Sequence, residues 1–254
     1  MKRLLLLLAA VAGLTGQAEA RSLDTIRSFG ELGLCAHPNS LPFASKAGDP
    51  PGFQVEMGQA LARELGVSLR LDWIITMFQL RAAGCDIVMD VIADPEAQGE
   101  TRLKTSKPYY HTGVALAVPA ASKLTSFASL DRSTKVGVQV GSVAAMVISQ
   151  RQVPTSTFGF EVDSLDALAN HEIDAAAVTP AVAAYYNQTH PDKAVRIVAP
   201  DDGDANLTWN VAVGMVRPDD GLRDAIEAAL ARLRADGTVE RLYKRYGIAL
   251  QPPK

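Results

Sequence analysis

Chemistry in this chain concentrates on a few polar groups that stand beside short apolar runs. Asp90 ends the run Ile87-Val88-Met89, and an acidic loop with Asp94, Glu96 and Glu100 follows it before Arg102. Carboxylates at that density can hold a hard cation, but the loop lacks the alternating acids and fixed glycine of a calcium loop, so no metal site is read there. His37 opens the turn-rich segment His37-Pro38-Asn39-Ser40-Leu41-Pro42-Phe43. With Asp90 it forms the pair that could serve as general acid and base. No Ser-His-Asp or Cys-His arrangement is visible, so the pattern points away from an enzyme. Gly141-Ser142 opens an apolar helix pattern; backbone N–H groups there favour an anion, and Ser is equally an ordinary cap. Thr179 closes the run Asp174-Ala175-Ala176-Ala177-Val178. No His stands at ligand spacing from Cys35 or Cys85, and two cysteines alone do not make a metal site.

The elements that must position these groups alternate between strand and helix. Gly33 to Ala36 reads as a strand, Phe53 to Leu65 as a helix stopped by Gly66, and Val67 to Trp73 as a strand in period two. A short helix over Ile74–Ala83 leads to the buried strand Ile87–Met89. Lys107-Pro108-Tyr109-Tyr110 and the apolar run Gly113–Val118 lead away from it. This β-α-β-α-β order predicts an open α/β sheet, which collects ligands beyond the carboxyl ends of its strands. A second set follows: a strand over Val136–Val140, a helix from Gly141-Ser142, a strand and helix from Phe160-Glu161 to Asn170, and strands over Asp174–Val178 and Val195–Ala199. Trp209–Val216 is expected to cross back. Leu222, Ile226, Ala229, Leu230 and Leu233 share one face of a closing helix.

Met1-Lys2-Arg3, the apolar stretch Leu4–Leu14 and Ala18-Glu19-Ala20 read as a secretory signal peptide over residues 1–20. The stretch is too short to span a bilayer, and no later one is apolar enough. The expected mature chain is therefore exported, soluble and without a membrane span. Removing Lys2, Arg3 and Glu19 leaves 23 basic against 27 acidic residues, a net of −4. That balance argues against nucleic acid, which needs a basic footprint. In an oxidising compartment Cys35 and Cys85 pair by default. The alternative is two free thiols, because Cys35 falls late in its strand and Cys85 early in the next.

The strand Cys85–Met89, a polar loop with an Arg, Pro108-Tyr109-Tyr110 and an outgoing strand together resemble the two-lobed periplasmic solute-binding proteins of family three. Lys135-Val136-Gly137-Val138-Gln139-Val140-Gly141-Ser142 and the stretch from Ala235-Asp236-Gly237-Thr238 to Tyr243-Lys244-Arg245-Tyr246-Gly247 agree, in the family's order. The resemblance implies a type II α/β fold of two lobes, each an open mixed sheet flanked by helices, joined by two crossing strands. Lobe one would take residues 21–117 and 208–254, and lobe two 118–207. It places the two cysteines on neighbouring strands, and Phe43, His37, Asp90, Arg102, Tyr109, Gly141, Ser142 and Thr179 around the cleft, with Phe43 as an aromatic platform.

The family's clamp for free amino acids fares differently. Its hydroxyl past the lobe-one strand corresponds to Ala93, its bidentate Arg to Gln98, its Thr at the lobe-two helix start to Val143, and its ammonium-binding Asp to Thr179. None has the family's residue type, and Gln cannot replace a planar cation on a carboxylate. The expected cleft is thus not equipped for free amino acids, and no cofactor is implied. His37–Phe43, Gly84–Met89 and Leu103–Tyr110 also resemble the MoxJ/XoxJ branch, which accompanies periplasmic quinoprotein (PQQ) alcohol dehydrogenases. That resemblance implies a monomer serving such a dehydrogenase or its cytochrome c. The alternative is the substrate-binding component of an ABC importer, with a permease and a small non-amino-acid solute as partners.

Overall fold

The computed structural model describes residues 21–94, 103–199, 206–216 and 218–254. The expected leader, Glu96, Gln98, Glu100 and Arg102 lie outside the described residues. Helix α1 (Leu23–Phe29) is capped by Ser22, whose hydroxyl accepts from the Thr25 N–H at 3.1 Å, and stops at Gly30 in the left-handed region. Strand β1 (Glu31–Ala36) follows, buried from Leu32 onward. A small hairpin of β2 (Asn39–Ser40) and β3 (Ala44–Ser45) leads to α2 (Phe53–Leu65). Gly52 opens that helix at φ 94°; a Cβ there would sit 2.4 Å from the Phe43 carbonyl oxygen, so no other residue fits. Then come β4 (Ser68–Trp73), one 3-10 turn at Met77–Gln79, α3 (Leu80–Ala83) and β5 (Ile87–Ile92). The chain continues through β6 (Leu103–Thr105), β7 (Tyr110–Gly113) and β8 (Ala115–Val118).

The second set begins with β9 (Val136–Gln139) and α4 (Val143–Gln150), then β10 (Thr155–Phe158), α5 (Glu161–Ala169), β11 (Ala175–Val178), α6 (Pro180–Thr189) and β12 (Arg196–Val198). Strand β13 (Thr208–Val216) returns to the first sheet, and α7 (Asp220–Ala235) and α8 (Thr238–Lys244) close the chain on it. The first sheet has the order β4-β1-β5-β13-β6 with β7 also on β13; the second has β10-β9-β11-β8-β12. In both, the early strands run parallel and the crossing strands antiparallel. This is the two-lobed α/β architecture expected from the alternation of elements.

Three details differ from the sequence reading. Strand β5 continues past Asp90, which takes φ 56°, to Ile92; the ladder to β13 shifts register opposite it, as at a bulge. Ala115–Ala117, expected in lobe one, pair within the second sheet with β11 and β12. The strand before α5 is Thr155–Phe158, and Phe160 stands just before the helix rather than in a strand.

Cys35 and Cys85 are bonded, with Cα atoms 5.5 Å apart. Cys85 lies before the first paired residue of β5, so the strand ladder does not fix its distance from Cys35. Both sit in a small apolar cluster with Ile74, Leu80 and Leu103. Asp86, 1% exposed, is held by the Gly33 N–H at 2.7 Å and by the Arg21 guanidinium at 2.6 Å. The two crossings touch: the Val114 N–H donates to the Leu207 carbonyl at 2.8 Å, and a Cβ on Gly113 would lie 2.0 Å from that oxygen. Trp209 packs against the cores of both lobes there.

Candidate functional site

The carboxyl ends of the parallel strands face each other across a cavity of ≈ 330 Å³ between the lobes. Lobe one supplies Asn39, Ser40, Leu41 and Phe43 from the loop after β1. Lobe two supplies Gln139, the segment Phe160–Asp163, and Val182, Tyr185, Tyr186, Thr189 and His190 from α6 and its end. The volume falls in the range of small-molecule sites. Phe43 packs against the apolar clusters of both lobes. The His37 ring meets Phe160 edge-on at 6.0 Å, Tyr185 meets Tyr246 at 5.9 Å, and the Gln188 amide donates to the Arg245 carbonyl at 3.0 Å. The lobes therefore touch on either side of the cavity.

Glu161 sets the electrostatics. It is the first residue of α5, and its carboxylate reaches the N-terminus of α6. The Thr179 N–H donates to both of its oxygens at 3.1 Å, and the Thr179 hydroxyl donates to Oε2 at 2.7 Å. A helix N-terminus favours a negative charge, but burial prevails and raises the Glu161 pKa; the Thr179 bonds partly offset this. Asp163 accepts from the Phe160 N–H at 3.2 Å, fixing the turn that aims Phe160. The Tyr186 hydroxyl donates to Asp166 at 3.0 Å, and its ring stacks on His190 at 4.4 Å. Burial first, then that bond, raises Tyr186 to about 12, so it stays neutral.

The residues read from the sequence divide into groups. Phe43 lines the cavity. Thr179 is not among the residues lining the cavity; it holds Glu161, which is. The Thr that stands where relatives carry an Asp is thus accompanied in space by a carboxylate from another helix. His37 reaches Phe160 but accepts from the Asn39 N–H at 3.1 Å through Nδ1. The Ser142 hydroxyl accepts from the Ala145 N–H and donates to the Gln139 carbonyl, so it caps α4 beside the cavity; Gly141 precedes it in the left-handed region. Asp90 and Tyr109 do not line this cavity: Asp90 is half-buried and bound within lobe one, and Tyr109 is buried there. Asp90 accepts from the Gln54 amide at 2.7 Å, from Tyr243 at 3.3 Å and from Tyr109. Tyr109 is 2% exposed. Arg102 and Gln98 lie outside the described residues. Among those described, no cluster of three His, Cys, Asp or Glu could hold a metal, and no helix is long and apolar enough to cross a membrane.

Residues 32–249 match the family described as bacterial extracellular solute-binding proteins, family 3. The chain belongs to that family. Its relatives include the probable amino-acid-binding protein YxeM of Bacillus subtilis, 26% identical over 91% of this chain and 87% of that protein. The histidine-binding periplasmic protein of Escherichia coli is 26% identical over 82% of this chain and 84% of its own. The membrane-bound lytic murein transglycosylase F of Desulfosudis oleivorans is 23% identical over 91% of this chain, which spans about half (51%) of that relative's length. Among solved structures, an ancestral cationic amino acid solute-binding protein superposes with a TM-score of 0.77 at 25% identity, over 89% of this chain and 99% of its own. An arginine-bound substrate-binding protein of an amino acid ABC transporter from Streptococcus pneumoniae gives 0.73 at 20%, over 91% of this chain and 100% of its own; it speaks for the fold alone.

Proposed function

We propose that this family member is the periplasmic, monomeric solute-binding component of an ABC importer, and that its cleft closes on a small solute other than a free α-amino acid. The observation that carries this is the lining of the cavity. It offers aromatic walls and two carboxylates, Glu161 and Asp163, and among the described residues no Lys or Arg lines it. An α-carboxylate placed there would meet like charge. The sequence points the same way, with Gln98 where the family places its Arg. Membership of the solute-binding family supports the importer partner. The role is binding rather than catalysis: Asp90 spends its oxygens inside lobe one, and His37 is occupied by the Asn39 backbone. Service to a quinoprotein dehydrogenase draws only on the resemblance of three segments and ranks second.

The test is thermal unfolding of the mature chain against a broad set of small solutes. A ligand at a hundredfold excess over its Kd adds about 2.7 kcal/mol. For a chain of this size that is a rise of roughly 5–10 °C. A midpoint moved by no small solute, but moved by a quinoprotein dehydrogenase or its cytochrome c, would replace the importer reading.

A further inference from the structure

We infer that the cleft takes an organic ammonium ion that bears no carboxylate, with the amine head against Glu161 and an apolar body between Phe43, Phe160 and Tyr185. This rests on the solute-receptor reading and names the ligand's chemical class. Three observations lead to it. A carboxylate has about four acceptor sites. Among the described residues, Thr179 is the one donor group on the Glu161 carboxylate, through its N–H and its hydroxyl, so acceptor capacity remains for an ammonium. Thr179 also fixes where that carboxylate stands, so the acceptor is held before the ligand arrives. The second observation is the wall. Phe43, Phe160 and Tyr185 border the same cavity, and aromatic faces attract a desolvated cation. Third is the lack of a counterpart for an anion: among the described residues, the charged groups on the cavity wall are Glu161 and Asp163, with His190 the remaining titratable ring beside the tyrosines. A zwitterion would gain at its amine and lose at its carboxylate, whereas its decarboxylated amine would only gain.

The experiment uses matched pairs on the mature chain, read by thermal shift and by titration calorimetry. Cadaverine, histamine and phenethylamine are each compared with lysine, histidine and phenylalanine, which differ by the carboxylate. Hydrocinnamate and phenethyl alcohol supply the anionic and neutral versions of the aromatic body. At least one amine is expected to bind, and its amino acid to need a concentration at least tenfold higher for the same shift. Glu161→Gln is expected to abolish the amine's shift. Should that variant fail to fold, Phe160→Ala, at a half-exposed rim position, is expected to weaken the amine several-fold. An amino acid that binds as well as its amine overturns the inference; loss of that binding in Arg102→Ala would name the missing grip. Binding of the alcohol or the acid in place of the amine overturns the ammonium and leaves the receptor reading standing. An amine that binds Glu161→Gln undiminished overturns the inference too. Silence from all eight solutes removes this inference, and silence from the broader set removes the receptor reading with it.

Discussion

Breaking the Cys35–Cys85 bond is the perturbation whose size follows most directly from the chain. The two cysteines are separated by 50 residues, and the bond closes a loop that contains α2, β4 and α3. The chain-entropy relation gives about 4 kcal/mol for a loop of that length. Cysteines 35 and 85 are 2% and 3% exposed, so replacing them adds a small packing loss to the entropic one. For a chain of 150–250 residues each kcal/mol moves the midpoint by about 2–4 °C, which predicts a fall of roughly 8–16 °C. The assay is thermal unfolding of the oxidised chain, the chain reduced by dithiothreitol, and the Cys35→Ala/Cys85→Ala variant, followed by tryptophan fluorescence. Trp73 pairs with Ala36, next to Cys35, and reports lobe one; Trp209 reports the crossing. If the lobes melt separately, the lobe-one transition should carry the whole shift. A change below about 1 kcal/mol in both the reduced chain and the variant would refute the reasoning.

Other sites give further expectations. Arg21→Ala leaves Asp86 buried with the Gly33 N–H still donating to it but its cation gone; loss of a fully buried pair costs about 3–5 kcal/mol, and water at the exposed side of Arg21 lowers this to about 2, measurable by urea unfolding. Gly113→Ala drives a methyl into the Leu207 carbonyl where the crossings meet, so at least 1–3 kcal/mol should be lost, and any solute-driven change in small-angle scattering should alter with it. Glu161 has a raised pKa in the fold, so its contribution to stability is full below the ordinary glutamate range and is lost as pH rises through the raised value. Without ligand, Glu161→Gln should therefore gain on the native chain as pH goes from acid to neutral. Urea midpoints of both proteins across that window check the sign, and the opposite trend would contradict it.

Much of the fold could be read from spacing alone. Gly52 and Gly66 bracket α2 because both stand at positive φ, and the buried run from Leu32 to Ala36 is apolar as a strand covered on both faces must be. The site was harder. Strand β10 is Thr-Ser-Thr-Phe, a half-exposed edge with little apolar signal, so the sequence pattern puts the strand at Phe160-Glu161, five residues past its true start, and hides Glu161 inside it. Its carboxylate then meets Thr179, 18 residues away, through the side-by-side packing of α5 and α6, which no local pattern announces. The resemblance to the family implies an Asp where Thr179 stands, but nothing in it announces that α5 brings an acid to the same place. Asp90 misled for a related reason. It does stand near the carboxyl end of a buried strand, but its φ of 56° accompanies a side chain bound to Gln54, Tyr109 and Tyr243. Backbone handedness of that kind is not legible in a single Asp.

The most direct test of the central claim is calorimetric titration of the mature chain with arginine and with agmatine, which differ in one carboxylate. The ancestral solute-binding protein that superposes at 25% identity is one for cationic amino acids, so arginine is a sharp rival to test. The account predicts that agmatine binds at least tenfold more tightly and that Glu161→Gln removes the difference. Arginine binding more tightly than agmatine would show that the cleft has a grip for the α-carboxylate, and would contradict it.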